Sequence, residues 1–323
     1  MTTRRGFRAF LMAAACVAFA ASCGSAAAAL RLELKLDKGK TWYERMVLDQ
    51  KITQDIMGQQ QVTNMVIGTT MKLEVLDVDG QGNMQIRHTY ASTRFKQANP
   101  MMPAVDYDSS RQAIAPAGAE GFAALVGQSY AMKISPKGQV LEVTGMEELA
   151  EAIRKKLPGG APAQGTDPLW AFLDKDALKE MTENSLAVYP GKPVEPGDSW
   201  TRKQSMRRSL AMTTESKWML QKRDAGVATI ASTASMKTDP NGPAMEIQGM
   251  AMKMDLSGSQ EGTIQMQEST GLVLVNRGRQ QLKGQIRVGS SPQGPFDMMA
   301  IPMTLETAFT TETSDKMWET KPQ

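Results

Sequence analysis

The chain has 323 residues, with 37 basic and 34 acidic side chains, one histidine and two cysteines. Both cysteines, Cys16 and Cys23, lie close to the N-terminus, so the rest has no thiol for a disulfide, a nucleophile or a cysteine metal cluster. Setting aside Arg4, Arg5 and Arg8 of the leader leaves 34 of 37 basic residues against 34 acids. A body so balanced offers no electrostatic case for nucleic acid.

The first residues, "MTTRRGFRAFLMAAACVAFAASCGSAAAAL", place a basic start before an apolar run from Ala9 to Ala21. That run is too short to favour a spanning helix and small residues follow it, so residues 1–28 read as an export signal. "TRRGFR" fits either a twin-arginine signal or an ordinary basic start. "AASCGS" is similar to a lipobox and makes Cys23 the candidate lipid anchor, while "SAAAAL" offers a rival cleavage near Ala28. Two or three acyl chains on Cys23 would hold the protein firmly, since each buried methylene contributes about 0.8 kcal/mol. The expectation is an exported lipoprotein, periplasmic or at the cell surface, whose membrane contact is this anchor. No later apolar run is long enough to span a bilayer.

Beyond the leader the polarity alternates, as in half-buried strands. "MKLEVLDV" sets Met71, Leu73 and Val75 on one face, and "NMQIRHTY" does so for Met84, Ile86 and His88. "AMKISPKGQVLEV" and "QMQESTGLVLV" each read as strand, turn, strand. Helical spacing appears at "GAEGFAALVG", from Met146 to Leu157 with Thr144 and Glu147 as a capping box, and in "LWAFLDKDALKEM" after a Pro/Gly-rich linker.

The order of motifs repeats. Gly39-Lys40-Thr41-Trp42 returns as Gly197-Asp198-Ser199-Trp200, and the turn before Val140 returns before Val273. The expected fold is therefore α+β and mostly antiparallel. Two curved sheets follow in tandem, residues 29–188 and 189–323, with a few helices inserted between them and internal duplication weighed against chance likeness of strands. The runs "YDSS", "GQSYAMKISPKGQVLEVTGMEEL" and "KPVEPGDSW" resemble a family of uncharacterised exported bacterial proteins, many of them lipoproteins. That resemblance implies no activity, ligand or catalytic residue. A likeness in plan alone links the chain to the curved half-barrels of bacterial lipoprotein carriers.

Few residues point to chemistry. In "DVDGQGN", Asp77, Asp79 and Gln81 stand where a calcium loop places its first ligands, but the twelfth position holds His88 instead of glutamate and the flanks have strand period. A hairpin turn explains the acids and glycines better. His88, the only histidine, reads as a half-buried sheet residue. The acid pairs Asp106 with Asp108 and Glu147 with Glu151 read as turn and surface groups, and Glu151 with Lys155 as an i,i+4 pair. No catalytic residue, cofactor or metal ligand is expected.

The 25 methionines are the unusual feature. In "MEIQGMAMKMDLSG" the apolar face passes at Gly249 to Met250, Met252, Met254 and Leu256, a shift that a β-bulge would produce. Three readings stand: plastic core packing, an adaptable wall for an acyl chain or other apolar ligand, and a thioether site for Cu(I). The functional expectation is a non-catalytic envelope protein that binds or carries an apolar ligand, with Met250, Met252, Met254 and Leu256 as its lining. The alternative is a structural envelope lipoprotein that meets protein partners and takes no small molecule.

Overall fold

The computed structural model describes residues 29–157, 174–207, 211–239, 242, 244–247, 250–290 and 298–318. The expected export segment, with Cys23 and Ala28, lies outside them, as do most of the central linker and Gly249.

The alternating segments form the strands that their period predicts. β1 (Thr41–Ile56), β2 (Gln59–Val78) and β3 (Met84–Asn99) run as long antiparallel neighbours, with β4 (Met102–Asp108) folded back on β3. β5 (Ser129–Ile134) and β6 (Val140–Thr144) complete the first half. Then come β7 (Ser199–Met206), β8 (Met212–Asp224), β9 (Val227–Thr238), β10 (Met245–Ile247), β11 (Met250–Gln267), β12 (Val273–Gly289) and β13 (Met299–Ser314). Helix α1 (Glu120–Leu125) lies between β4 and β5, within the first half; α2 (Met146–Lys156), α3 (Lys175–Ser185) and a 3-10 turn at Leu186–Val188 come between β6 and β7.

The mostly antiparallel class is as the alternation predicts, but the two expected sheets are one. Among the described residues thirteen strands share a single sheet, eleven along the order β6-β5-β3-β2-β1-β13-β12-β11-β9-β8-β7, with β4 beside β3 and β10 beside β11. The reason is β13. Two separate sheets would leave β1 and β13 each with a long edge of unpaired amides and carbonyls, which is costly. β13 pairs with β1 on one side, Met46 facing Thr311, and with β12 on the other, Leu282 facing Leu305.

The halves are nonetheless built alike. Gly39 N donates to Val75 O at 2.8 Å and Val75 N to Lys40 O at 3.0 Å; Gly197 N donates to Leu220 O at 2.7 Å and Leu220 N to Asp198 O at 3.0 Å. The pairing of β2 with β3 is irregular between Val75 and Asp77, and that of β8 with β9 between Leu220 and Lys222. Matching hydrogen bonds at matching irregularities make the repeated Gly-X-X-Trp motif a repeat of construction.

Two sequence expectations are corrected locally. Gly145, with φ 82°, occupies the N-cap of α2 with no side-chain cap bond, so the Thr144–Glu147 box does not form. The change of face near Gly249 is a chain reversal and not a bulge: Ile247 faces Met250 and Met245 faces Met252 across a β10–β11 hairpin. A reversal through two residues changes the parity of the apolar positions from odd to even while cross-strand partners stay on one face, which is why periodicity alone did not separate the two.

The core sits at one end of the curved sheet, on its concave face. There Leu73, Ile86, Met132, Leu220, Ile230 and Met266 pack around a strap that runs in front of β1. Its alternate residues Leu30, Leu32, Leu34 and Leu36 are all buried. Leu30 bridges to Val194, Leu34 N donates to Pro136 O, and Lys35 N to Thr270 O, so the strap joins the turns of both halves.

Candidate functional site

At its plugged end the concave surface carries the molecule's enclosed titratable groups. β3 aligns His88 opposite Tyr130 of β5, and their rings stack at 5.1 Å and 4°. The imidazole Nε2 is enclosed with no hydrogen-bond partner, and burial pushes the ring down to about 4, which keeps it neutral. Neighbouring Glu44 is pushed up by desolvation towards its neutral form. The sequence expectation of His88 as a sheet residue agrees with this position.

Further along, the registers align a polar row. Gln260, Gln280, Thr307 and Gln50 stand side by side across β11, β12, β13 and β1, with Ala234 of β9 next in register. Gln50 Nε2 donates to Thr307 Oγ1 at 3.3 Å. Beside this row lies a cavity of about 240 Å³, between the end of α3 and the wall made by β7, β8, β9, β11 and β12. Trp218, Ile264 and Val188 line it on the plugged side, and Met206 and Met236 on the other.

Past the polar row the face becomes apolar again. A second cluster buries Met212, Leu256, Leu282, Ile286, Val288 and Met303, and against it pack half-buried Ile52, Met206, Met236, Met252, Met254 and Leu305. The four residues expected to line a ligand therefore part company. Leu256, 2 % exposed, is core; Met252 and Met254 are half-buried wall; Met250, 40 % exposed, stands on the rim. The register places further exposed side chains at this same end of the strands: Met57 in the β1–β2 turn, Met101 in the β3–β4 turn and Met298 before β13. The result is a trough plugged at one end, polar in the middle, and methionine-walled towards an apolar mouth.

The sheet edges, β6 and β7, do not pair with each other, and α3 spans them. Asp174 caps α3 by accepting from Ala177 N at 2.8 Å. Glu183 then accepts from Val140 N of β6 through its side chain and from Gln204 Nε2 of β7 through its carbonyl. Glu180 accepts from Arg207 N just past β7. Two glutamates thus satisfy amides that open edges would present to a partner.

The remaining candidate acids are held by ordinary partners. Asp79 accepts from Gln81 N and Asn83 N and pairs with Lys133 at 2.8 Å, while Asp77 pairs with Lys38 at 2.8 Å, so "DVDGQGN" is a self-capped turn. The depression beside it, between Asp79, Lys133 and Glu142, is wide open, so the more sheltered cavity under α3 is the stronger candidate site. Asp106 pairs with Lys96, Asp108 with Arg111, and Glu151 with Lys155 at 2.7 Å. Among the described residues no group of three or more metal-ligating side chains of the His/Cys/Asp/Glu type converges.

The sequence reading missed the strap and the glutamine row. The strap was visible as strict alternation in "LRLELKLD"; the row was not, because Gln50, Gln260 and Gln280 become neighbours only through strand pairing.

These features define a class: an open, antiparallel β trough with a self-plugged end and a helix laid across its edges. The chain belongs to DUF6263, a family of unknown function, whose pattern matches residues 81–273. No curated protein matches the chain significantly. Among solved structures, one described as lipid-protein interactions in lipovitellin has a TM-score of 0.48 at 8% identity, covering 89% of this chain and 27% of that one. The outer membrane protein OprD from Pseudomonas aeruginosa has a TM-score of 0.21 at 7% identity, covering 89% and 97%. Both scores fall below the level at which a fold is shared, and the chain spans about a quarter of the lipovitellin chain.

Proposed function

We propose that this is a non-catalytic, exported envelope protein that binds or carries an apolar ligand such as a lipid or acyl chain, held to the membrane through Cys23. One observation carries the reading. At the open end, a group of concave-face side chains, Met206, Met236, Met252 and Met254 among them, is packed on one side and uncovered on the other. Flexible thioethers adapt to chains of varied shape, and a surface of this kind in water is stabilised by whatever covers it. The exposed methionines of the mouth continue the apolar path outwards. The alternative is a ligand-free structural protein that docks through strand edges; α3 covers part of the β6 and β7 edges, while among the described residues β4 and β10 each pair on one side only.

The test is solvent extraction and mass spectrometry of protein purified without detergent from its producing cell, with binding of a fluorescent acyl probe measured in parallel. A co-purifying apolar species, and loss of probe binding in Met254→Asp, are expected. Absence of any bound apolar species together with no probe binding overturns the proposal.

A further inference from the structure

We infer that the cavity under α3 is the seat of a polar head group, and that the ligand is an uncharged amphiphile: a single acyl chain bearing a hydroxyl-rich or amide head, not a fatty acid or a phospholipid. This rests on the apolar-ligand reading above and adds the chemistry of the other end of the ligand.

The cavity lining supports it first. Gln204, Thr214, Ser216, Ser232, Gln260 and Asn276 all reach the cavity, and no charged side chain of the described residues does. Amides and hydroxyls both donate and accept, which suits hydroxyl, ester and amide groups of a ligand. A carboxylate or phosphate brought there would lose its water and meet no lysine or arginine, a cost that buried sites avoid by pairing. The cation on the same face of β7, Arg202, is turned to the carbonyl of Tyr189 at 3.1 Å.

Size and placement give the orientation. A volume of about 240 Å³ holds on the order of eight waters at ~30 Å³ each. Sites that enclose whole drug-sized ligands run to ~300–1,000 Å³. The cavity therefore suits a small head and leaves a long chain outside. Met206 and Met236 belong both to the cavity lining and to the apolar cluster of the open end, so a chain leaving the cavity past them runs along Met252 and Met254 to the mouth. Trp218 and Ile264 wall the cavity off from the plugged core, so the chain is directed towards the open end. Deeper in that core, His88 held neutral and Glu44 pushed towards its neutral form agree with an interior that disfavours charge.

The test compares a monoacylglycerol with the fatty acid of the same chain length, each below its micellar concentration, at pH 8, by titration calorimetry on the full-length protein stripped of bound lipid. Binding of the monoacylglycerol at least tenfold tighter is expected. Gln260→Leu should lose about tenfold for the monoacylglycerol and little for the fatty acid. Gln260→Lys should reverse the preference, a gain that misfolding cannot mimic. Equal or tighter binding of the fatty acid by the unaltered protein overturns the neutral-head inference and leaves the apolar-ligand reading standing. Binding of free glycerol as tight as the monoacylglycerol overturns the amphiphile. No binding of either lipid overturns both.

Discussion

Replacing Leu32 by alanine removes a side chain that is 1 % exposed and enclosed by the plugged-end cluster. Buried leucine-to-alanine changes cost about 2–5 kcal/mol, set by how far the site can collapse. Leu32 is pinned between the turns of both halves through Leu30, Leu34 and Lys35, so collapse is restricted and about 3 kcal/mol is expected. Met254 is also apolar and on the concave face but only half-buried. Full burial of such a side chain contributes roughly 1.5–3 kcal/mol, so Met254→Ala should cost about 1 kcal/mol or less in ligand-free protein. Urea unfolding of both variants measures the difference, read as a shift of midpoint at unchanged slope. If Met254→Ala costs as much as Leu32→Ala, the open end is ordinary core, and its use as a binding wall is refuted along with the ligand proposal built on it.

His88 makes stability depend on pH in a defined direction. Its folded value of about 4 lies below the ordinary 6.5, so between these limits the unfolded chain binds a proton that the folded chain does not. Stability is complete above pH 6.5 and falls as pH drops towards 4, by about 3 kcal/mol at most from this group. His88→Phe, which keeps a ring against Tyr130, should remove that part of the acid sensitivity. NMR titration of the single histidine reads its value directly, and a midpoint near 6.5 in folded protein would contradict the enclosure. Gly271 has φ 66°, and a Cβ there would run into the backbone of Glu33 and Leu34. Gly271→Ala should therefore push the strap off the β11–β12 turn and speed proteolysis within residues 29–37, while strain at a positive φ adds about 1–3 kcal/mol of destabilisation. An unchanged cleavage pattern would mean that the strap is not held at that turn.

Much was decided by local chemistry alone. Alternation of period two set the strands, because one face of each strand had to be buried. "SPKG" and "ESTG" made turns because Gly138 and Gly271 take positive φ at little steric cost. The repeated Gly-X-X-Trp motif announced two halves of like construction, and a lone histidine with no cysteine after Cys23 narrowed the expected chemistry. Tertiary structure decided the rest. Whether the halves make two sheets or one depended on which edges β13 would cover, a choice between partners far apart in sequence. Gln50, Gln260 and Gln280 form a row only because three strand registers align them. Which methionines are core and which remain half-covered also follows from position along the curved face, since Met250, Met252, Met254 and Leu256 share one period and differ only in what stands opposite.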